Sequence, residues 1–522
     1  MAMLSGIMLF LAFPKHDFSW LAWGGLVPLL VVLSRNEIGQ GFILFFLCGF
    51  VFFTGVFAWV FEIPKFGVVH HAIISPYMGL YFGLFGAAVV VIRKRLGVGW
   101  AYVSAPFFWV SLEYIRSNVS FLSLPWALLA HSQYQSPIII QISSITGAYG
   151  VSFMIVLVNS TLALVLSQQR YVQKSLKLSS HFSVSVRHQV AIFCMMAALV
   201  GMAQLYGYAT MSGPTSGKEI RATVIQGNID QTVKANPTHH TDFIMGKYAL
   251  LTREASGQGA ELIVWPEAAT PGFVLKNLAL RNQIISLIRE VNRHFLVGSS
   301  ESPKFIRDKE FKRGEAGNTA LFLSPEGRVL GQYLKIQLVP FGEYVPLEGT
   351  IAWPSFIVPE DKKSFEVPGR EHTIFRIDTG QFGVVICWEI VFPRLFSEFV
   401  KQGANFMVNL TNEGWFGDSA APYQMLSMSV FRAVENRISM ARAANTGISC
   451  FIDPLGRITG RVEQEGKDTF VDGYLTQPIL LSWTRTFYML YGDVFSFVVL
   501  SVSALLLCFA PLRRVGKKGV SL

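Results

Sequence analysis

Charge is what this sequence has least of. Only 15% of its 522 residues are Asp, Glu, Lys or Arg, against 51% hydrophobic residues, and the mean hydropathy is +0.41. A chain of this length cannot cover a water-soluble surface with so few charges, so much of it belongs in a bilayer. Cysteine is scarce as well: five residues, with no CxxC pair and no Cys/His cluster at zinc spacing, so no metal site is expected and no cofactor is implied. Cys48, Cys194 and Cys508 fall inside apolar runs. Cys387 and Cys450 alone lie in the polar part of the chain, where a disulfide between them is an alternative in an oxidising compartment. The net charge of +10 is spread in short segments beside apolar runs rather than gathered in a patch with interleaved aromatics, which argues against nucleic acid as a partner. No internal repeat or low-complexity tract is present.

What fills the first 210 residues is a succession of apolar segments, at about 2–14, 18–34, 40–61, 72–92, 99–115, 137–167 and 189–208, with one more at 494–511. Several reach the ~18–20 residues that a spanning helix needs. The first is short, but it lacks the basic flank and small-residue cleavage site of a signal peptide and reads as half of a helical hairpin. The expectation is a bundle of about eight transmembrane helices: about seven in 1–210, a final one in 487–512, and a basic tail in 513–522. Lysines and arginines mark cytoplasmic loops. With the N-terminus inside, Arg35, Arg93, Lys94, Arg95, Arg170, Lys174, Lys177, Arg187, Arg513, Arg514, Lys517 and Lys518 are cytoplasmic, against Lys15, Lys65 and Arg116 on the other side. That bias puts both termini in the cytoplasm and the region 217–484 outside it. Glu113, Arg116, His131, Gln133 and Gln141 are polar groups in or beside membrane segments, with interhelical hydrogen bonding as their first reading. The aromatics near Trp20, Trp23, Phe46 and Phe52 read as interfacial belts or packing.

Residues 217–484 change character, alternating β-type runs (Arg221–Gln226, Leu262–Trp265, Phe295–Gly298, Thr319–Leu323, Val384–Ile386, Phe406–Asn409) with helical patterns at 241–255, 278–294, 392–402 and 424–444. Alternation over such a length implies a layered α/β domain. The stretch from Leu347 to Pro359 is too irregular for an element and too apolar for an ordinary loop; it reads as a lid or a membrane-facing arm.

Three β-type runs in this domain each end on one reactive group: Glu267 after Leu262–Pro266, Lys335 after Tyr333-Leu334, and Cys387 after Val384–Ile386. A thiol is only a few per cent ionised at neutral pH, so a nearby carboxylate must serve as its base. The oxyanion formed when a thiolate attacks an acyl carbonyl needs a positive charge and a fixed N–H, which Lys335 and the amide of Trp388 can supply. Glu267 then returns the proton to the leaving group. Glu343 and Glu389 can orient the lysine and shape the pocket.

In this order, with 68 residues from Glu to Lys and 52 from Lys to Cys, the three resemble the Glu-Lys-Cys triad of the nitrilase or carbon-nitrogen hydrolase superfamily, which implies an α-β-β-α sandwich. Membrane segments around such a domain narrow the resemblance to the apolipoprotein N-acyltransferase family. It is carried by Leu-Pro-Trp at 124–126, Thr-Gly-Ala-Tyr-Gly-Val-Ser-Phe at 146–153, Val-Trp-Pro-Glu at 264–267, Val-Pro-Phe-Gly-Glu-Tyr-Val-Pro at 339–346, Cys-Trp-Glu at 387–389, Asn-Leu-Thr-Asn-Glu-Gly-Trp-Phe-Gly at 409–417, Arg432 and Arg442 on the following helix, and Asn-Thr-Gly at 445–447. Trp388 stands where tyrosine is more familiar in the family, and Asn-Glu-Gly-Trp where Asn-Asp-Ala-Trp is expected.

The resemblance implies a bacterial inner-membrane enzyme with its catalytic domain on the periplasmic side. It implies a two-step transfer: Cys387 takes a fatty acyl chain from a phospholipid, and the thioester passes it to the α-amine of an apolipoprotein's N-terminal S-diacylglyceryl cysteine. Trp415, Phe416 and Trp353 are candidates for lining the acyl site. One rival is a membrane-tethered amidase acting on a soluble amide, which has little use for eight spans. A transporter with a ligand-binding outer domain is another, against which stands the lack of paired Gly/Pro-broken helices.

Overall fold

The computed structural model describes residues 1–33, 37–64, 66–175, 184–213, 217–302, 316–358 and 366–509. Arg35, Lys65, Lys177, Pro359 and the tail with Arg513, Arg514, Lys517 and Lys518 lie outside them. The chain divides into two compact units: one of Met1–Ala58, His71–Ala209 and the described part of Asp493–Leu522, the other of Trp59–His70 and Thr210–Gly492.

The first unit is helical. Among the described residues, four helices are long and apolar enough to cross a membrane: Ile38–Val56, Val68–Leu96, Ala148–Ser167 and Val186–Met211. The other apolar segments give shorter or more polar pieces. Segment 2–14 yields Ala2–Leu11, and 18–34 breaks at Gly24-Gly25 into a 3-10 turn, Ser19–Trp23, and Val27–Val32. Segment 137–167 is not one helix: Gly147, at φ +65°, separates the short turns Pro137–Ile140 and Ser143–Thr146 from Ala148–Ser167. Small residues let backbones meet, as where a side chain at Gly86 would collide with the main-chain oxygen of Gly41.

Buried polar groups here hold irregular backbone. Beyond Val98–Asn118 the chain runs through short 3-10 turns, and its free carbonyls and amides need partners. Arg116 donates to the carbonyls of Leu124 (3.2 Å) and Trp126 (2.7 Å), and Glu113 accepts from the N–H of Leu129 (2.8 Å) and the indole of Trp109 (3.0 Å). Gln133 accepts from the Trp23 indole and donates to Ser19 O, both at 2.9 Å, while Gln141 donates to Pro137 O at 2.7 Å. His131 is buried. Phe52 packs among Phe13, Phe53 and Phe82, whereas Trp20 is exposed.

The described residues of the second unit hold twelve strands: β1 Glu219–Gln226, β2 Leu262–Val264, β3 His294–Glu301, β4 Gly317–Leu323, β5 Val329–Leu334, β6 Ile374–Ile377, β7 Gly380–Ile386, β8 Phe406–Thr411, β9 Ser439–Ala444, β10 Cys450–Ile452, β11 Ile458–Arg461 and β12 Gly473–Leu480. They form two six-stranded sheets, ordered β12-β1-β2-β3-β4-β5 and β11-β10-β9-β8-β7-β6, each with three parallel strands at its centre (β1-β2-β3 and β7-β8-β9). The sheets face each other: Phe322 of β4 lies 5.5 Å from Phe375 and 5.3 Å from Phe382 of the other sheet, ring centre to ring centre. Helices cover the outer faces. Thr241–Ser256 and Leu278–Val291 bury Ile244, Tyr248, Leu251, Ile284 and Leu287 with Ile263, Trp265 and Phe295 on the first sheet. On the second, Pro393–Lys401 seats Phe399 where Gly383 leaves room, and Ala421–Asn436 is buried along its length. The layers are therefore α-β-β-α.

Two expectations are corrected. The helical pattern at 424–444 is really helix Ala421–Asn436, a reversal at Arg437 (φ +50°), and strand β9. Ala, Met and Arg favour helix locally, but pairing with β8 and β10 on either side decides the matter. Arg442 thus sits on a central strand, not on a helix. Helix 278–294 stops at Val291 because Asn292 turns left-handed (φ +51°), and His294 opens β3. Cys387 and Cys450 are both free thiols.

Candidate active site

Lys335 and Cys387 follow directly on the ends of β5 and β7, Glu267 lies three residues beyond the end of β2, and all three are buried. Glu267 and Lys335 lie beyond the ends of β2 and β5 of one sheet and Cys387 beyond the end of β7 of the facing sheet, so residues far apart in sequence meet past the carboxyl ends of strands from both sheets. Gly298 on β3 lets the Glu267 loop approach, since a side chain would strike Pro266 O; the loop is pinned by Ala269 N–H to Gly298 O at 2.8 Å. Cys387 occupies the left-handed region at φ +54° as it enters a 3-10 turn, Cys387–Val391, and Ala268 does so at φ +45°. A β-carbon at such angles costs about 1–3 kcal/mol, and strand-to-helix turns of this kind project a nucleophile clear of its sheet.

The ammonium of Lys335 has no exposed surface and lies 2.6 Å from Glu343 Oε1 and 3.6 Å from Glu267 Oε1. Glu267 is held on both oxygens: Oε1 accepts from Asn318 Nδ2 at 2.8 Å and Oε2 from the N–H of Asn412 at 2.7 Å. Burial alone would lower the Lys335 pKa, but the carboxylates of Glu343 and Glu267 lift it well above the ordinary lysine value. The lysine is thus permanently charged. Burial pushes the Cys387 thiol up and Glu267 adds to that, while Lys335 pulls it down. The resting cysteine is a neutral thiol that needs a base.

Glu389 acts on the main chain. Its carboxylate accepts the N–H groups of Ile336 (2.7 Å), Gln337 (2.9 Å) and Ile386 (2.7 Å) and the hydroxyl of Tyr333 (2.9 Å), tying the lysine's strand end to the cysteine's. Burial lifts its pKa to about 7 against those donors. Trp388 packs edge-on to Phe392, with ring centres 5.2 Å apart. Trp415 is 45% exposed on its loop, and Phe416 meets Trp59 edge-on at 5.1 Å. Trp353 is anchored within its own arm, donating to Pro346 O at 2.7 Å and packing on Phe341.

Sequence reading passed over Asn318, Asn412 and Glu366. Burial, with Glu343 next, raises the Glu366 pKa to about 8, so a neutral acid sits beside the Lys335–Glu343 pair. Asn412 lay within the Asn409–Gly417 stretch, but it acts through its N–H, which no side-chain pattern advertises. Among the described residues no group of three or more His, Cys, Asp or Glu is arranged to hold a metal ion.

Known proteins share both parts of the chain. Residues 5–161 match the apolipoprotein N-acyltransferase N-terminal domain and residues 221–473 the carbon-nitrogen hydrolase family. An amidase from Nesterenkonia sp. is 20% identical over 54% of this chain and 96% of its own at a TM-score of 0.38, a similarity too weak to carry weight. The apolipoprotein N-acyltransferase of Chlorobaculum tepidum is 27% identical over 98% of this chain and 96% of its own length. That of Geobacter metallireducens is 34% identical, over 98% and 95%. On that coverage and identity, the chain belongs to the apolipoprotein N-acyltransferase family.

Proposed function

We propose that this chain is a membrane acyltransferase that moves a fatty acyl group from a phospholipid, through a thioester on Cys387, to the α-amine of the N-terminal S-diacylglyceryl cysteine of apolipoproteins. The observation that carries the reading is a buried thiol under the influence of the Glu267 and Glu343 carboxylates and the charged Lys335, beyond the ends of three strands.

Glu267 takes the thiol proton as Cys387 attacks the ester carbonyl. The oxyanion forms against Lys335 and the Trp388 N–H; the C–O bond then breaks, and Glu267 gives its proton to the departing lysophospholipid alkoxide. In the second half the acceptor amine attacks the thioester, loses a proton to Glu267, and the Cys387 thiolate leaves and regains it. Glu343 keeps Lys335 aimed, and Asn318 and Asn412 keep Glu267 from turning away.

Both substrates keep their acyl chains in the bilayer, and drawing them into water costs about 0.8 kcal/mol per CH₂. This favours an enzyme embedded in a bacterial inner membrane, and the apolar segments with their Lys/Arg bias favour eight spans, both termini cytoplasmic and the sandwich on the extracytoplasmic side. The arm from Leu347, with Leu347, Ile351 and Phe356 exposed, suits a lid in contact with lipid, and Trp415, Phe416 and Trp353 suit the acyl path.

The test is N-acylation of a synthetic diacylated lipopeptide by the full chain in nanodiscs containing phosphatidylethanolamine. A product heavier by one fatty acyl group, lost with Cys387→Ala, is expected. Hydrolysis of soluble amides with no lipopeptide product would favour the amidase reading instead.

A further inference from the structure

Lys335 is paired with the carboxylates of Glu343 and Glu267, and a second cation touches the Glu267 loop. Lys234 lies in a short turn, Gln231–Ala235, capped by Asp230, whose side chain accepts the Thr232 N–H at 2.7 Å. Its Nζ donates to the main-chain oxygen of Glu267 at 3.3 Å. Its neighbour Gln231 accepts from Asn412 Nδ2 at 3.2 Å, and the Asn412 N–H holds the Glu267 carboxylate. Lys234 therefore touches the main chain of Glu267, while Lys335 lies by its carboxylate. An ammonium carries three donors, and only one is used by this bond. No carboxylate lies within ion-pair distance of Nζ among the described residues, and the Glu267 carboxylate is taken by Lys335, Asn318 and Asn412. Burial lowers its pKa to about 8 against the pull of Glu267, which leaves it mostly charged at neutral pH, partly stripped of water and without a counter-ion.

The two substrates of the proposed reaction differ in one relevant group. A phospholipid donor bears a phosphodiester anion one glycerol's length from its reacting ester. The acceptor's diacylglyceryl group, joined through a thioether, bears no phosphate. Resting on the acyl-transfer reading above, we infer that Lys234 binds the phosphodiester anion of the acyl donor and serves the first half-reaction only.

The alternative role, holding the Glu267 loop in place, affects both half-reactions alike, so the half-reactions separate the two. Lys234→Gln and Lys234→Arg are made in the full chain, and thioester formation is followed by quenched intact-mass measurement with two donors: phosphatidylethanolamine and a p-nitrophenyl fatty-acid ester, which has no phosphate. Loss of a charge-assisted hydrogen bond is expected to slow acylation of Lys234→Gln by phosphatidylethanolamine about ten-fold or more, chiefly through KM. With the nitrophenyl ester, and in discharge of the preformed thioester by lipopeptide, the same variant stays within about two-fold of wild type, and Lys234→Arg retains most of the activity with both donors. Equal losses with the two donors, or no loss with phosphatidylethanolamine, overturn the inference while leaving the transferase reading intact. A wild-type chain that is acylated by the nitrophenyl ester but not by phosphatidylethanolamine overturns both.

Discussion

Lys335→Met is expected to lower acyl transfer by about a thousand-fold or more, in thioester formation and in discharge alike. The lysine stands 2.6 Å from one carboxylate and 3.6 Å from another, with no water-exposed surface. Methionine fills its volume but removes the only charge available to the oxyanion in this account. It also leaves Glu267 and Glu343 facing each other without a cation between them. Breaking such a buried arrangement costs about 3–5 kcal/mol, part of which the site recovers by protonating a carboxyl. The variant should remain folded by circular dichroism in detergent, with a lowered Tm. Transfer within about ten-fold of wild type would remove Lys335 from the mechanism.

The second large effect is on stability. Arg442→Met is expected to destabilise the second unit by about 3–5 kcal/mol. Arg442 is fully buried and hydrogen-bonds Glu413, Asn409 and, through Nε, Ile448 O at 3.1 Å. Glu413 is equally buried, and burial already pushes its pKa up against the arginine's pull. Without the arginine it is left as a desolvated carboxylate one residue from Asn412, whose N–H fixes Glu267. Activity should therefore fall together with Tm. The double variant Arg442→Met/Glu413→Leu should lose much less than the sum of the single losses, because it removes both charges. Additive losses in that cycle would show that the pair does not act as a unit.

Legibility followed the kind of signal. Cys387, Glu267 and Lys335 each end a Val/Ile/Leu-rich run, a local pattern that fixes both the strand and the residue beyond it, and the structure brings the three together. The layers followed from the alternation of such runs with amphipathic stretches. Where local preference and pairing disagreed, the reading failed: Ser439–Ala444 has the composition of a helix and became a strand because β8 and β10 lie on either side of it. Segment 137–167 was apolar throughout, yet hydropathy does not register the left-handed turn at Gly147. Asn318 and the Asn412 N–H were out of reach for another reason. They hold Glu267 from strand ends far away in sequence, and a main-chain donor has no side chain to betray it.

The central claim is a fatty acyl thioester on Cys387, and intact-protein mass spectrometry after incubation with phosphatidylethanolamine tests it most directly. The account predicts a fatty-acyl mass increment on the wild-type chain that is released by hydroxylamine, absent from Cys387→Ser, and discharged by a diacylated lipopeptide. A folded wild-type chain that gains no such mass, or a Cys387→Ser variant that gains it equally, would contradict the account.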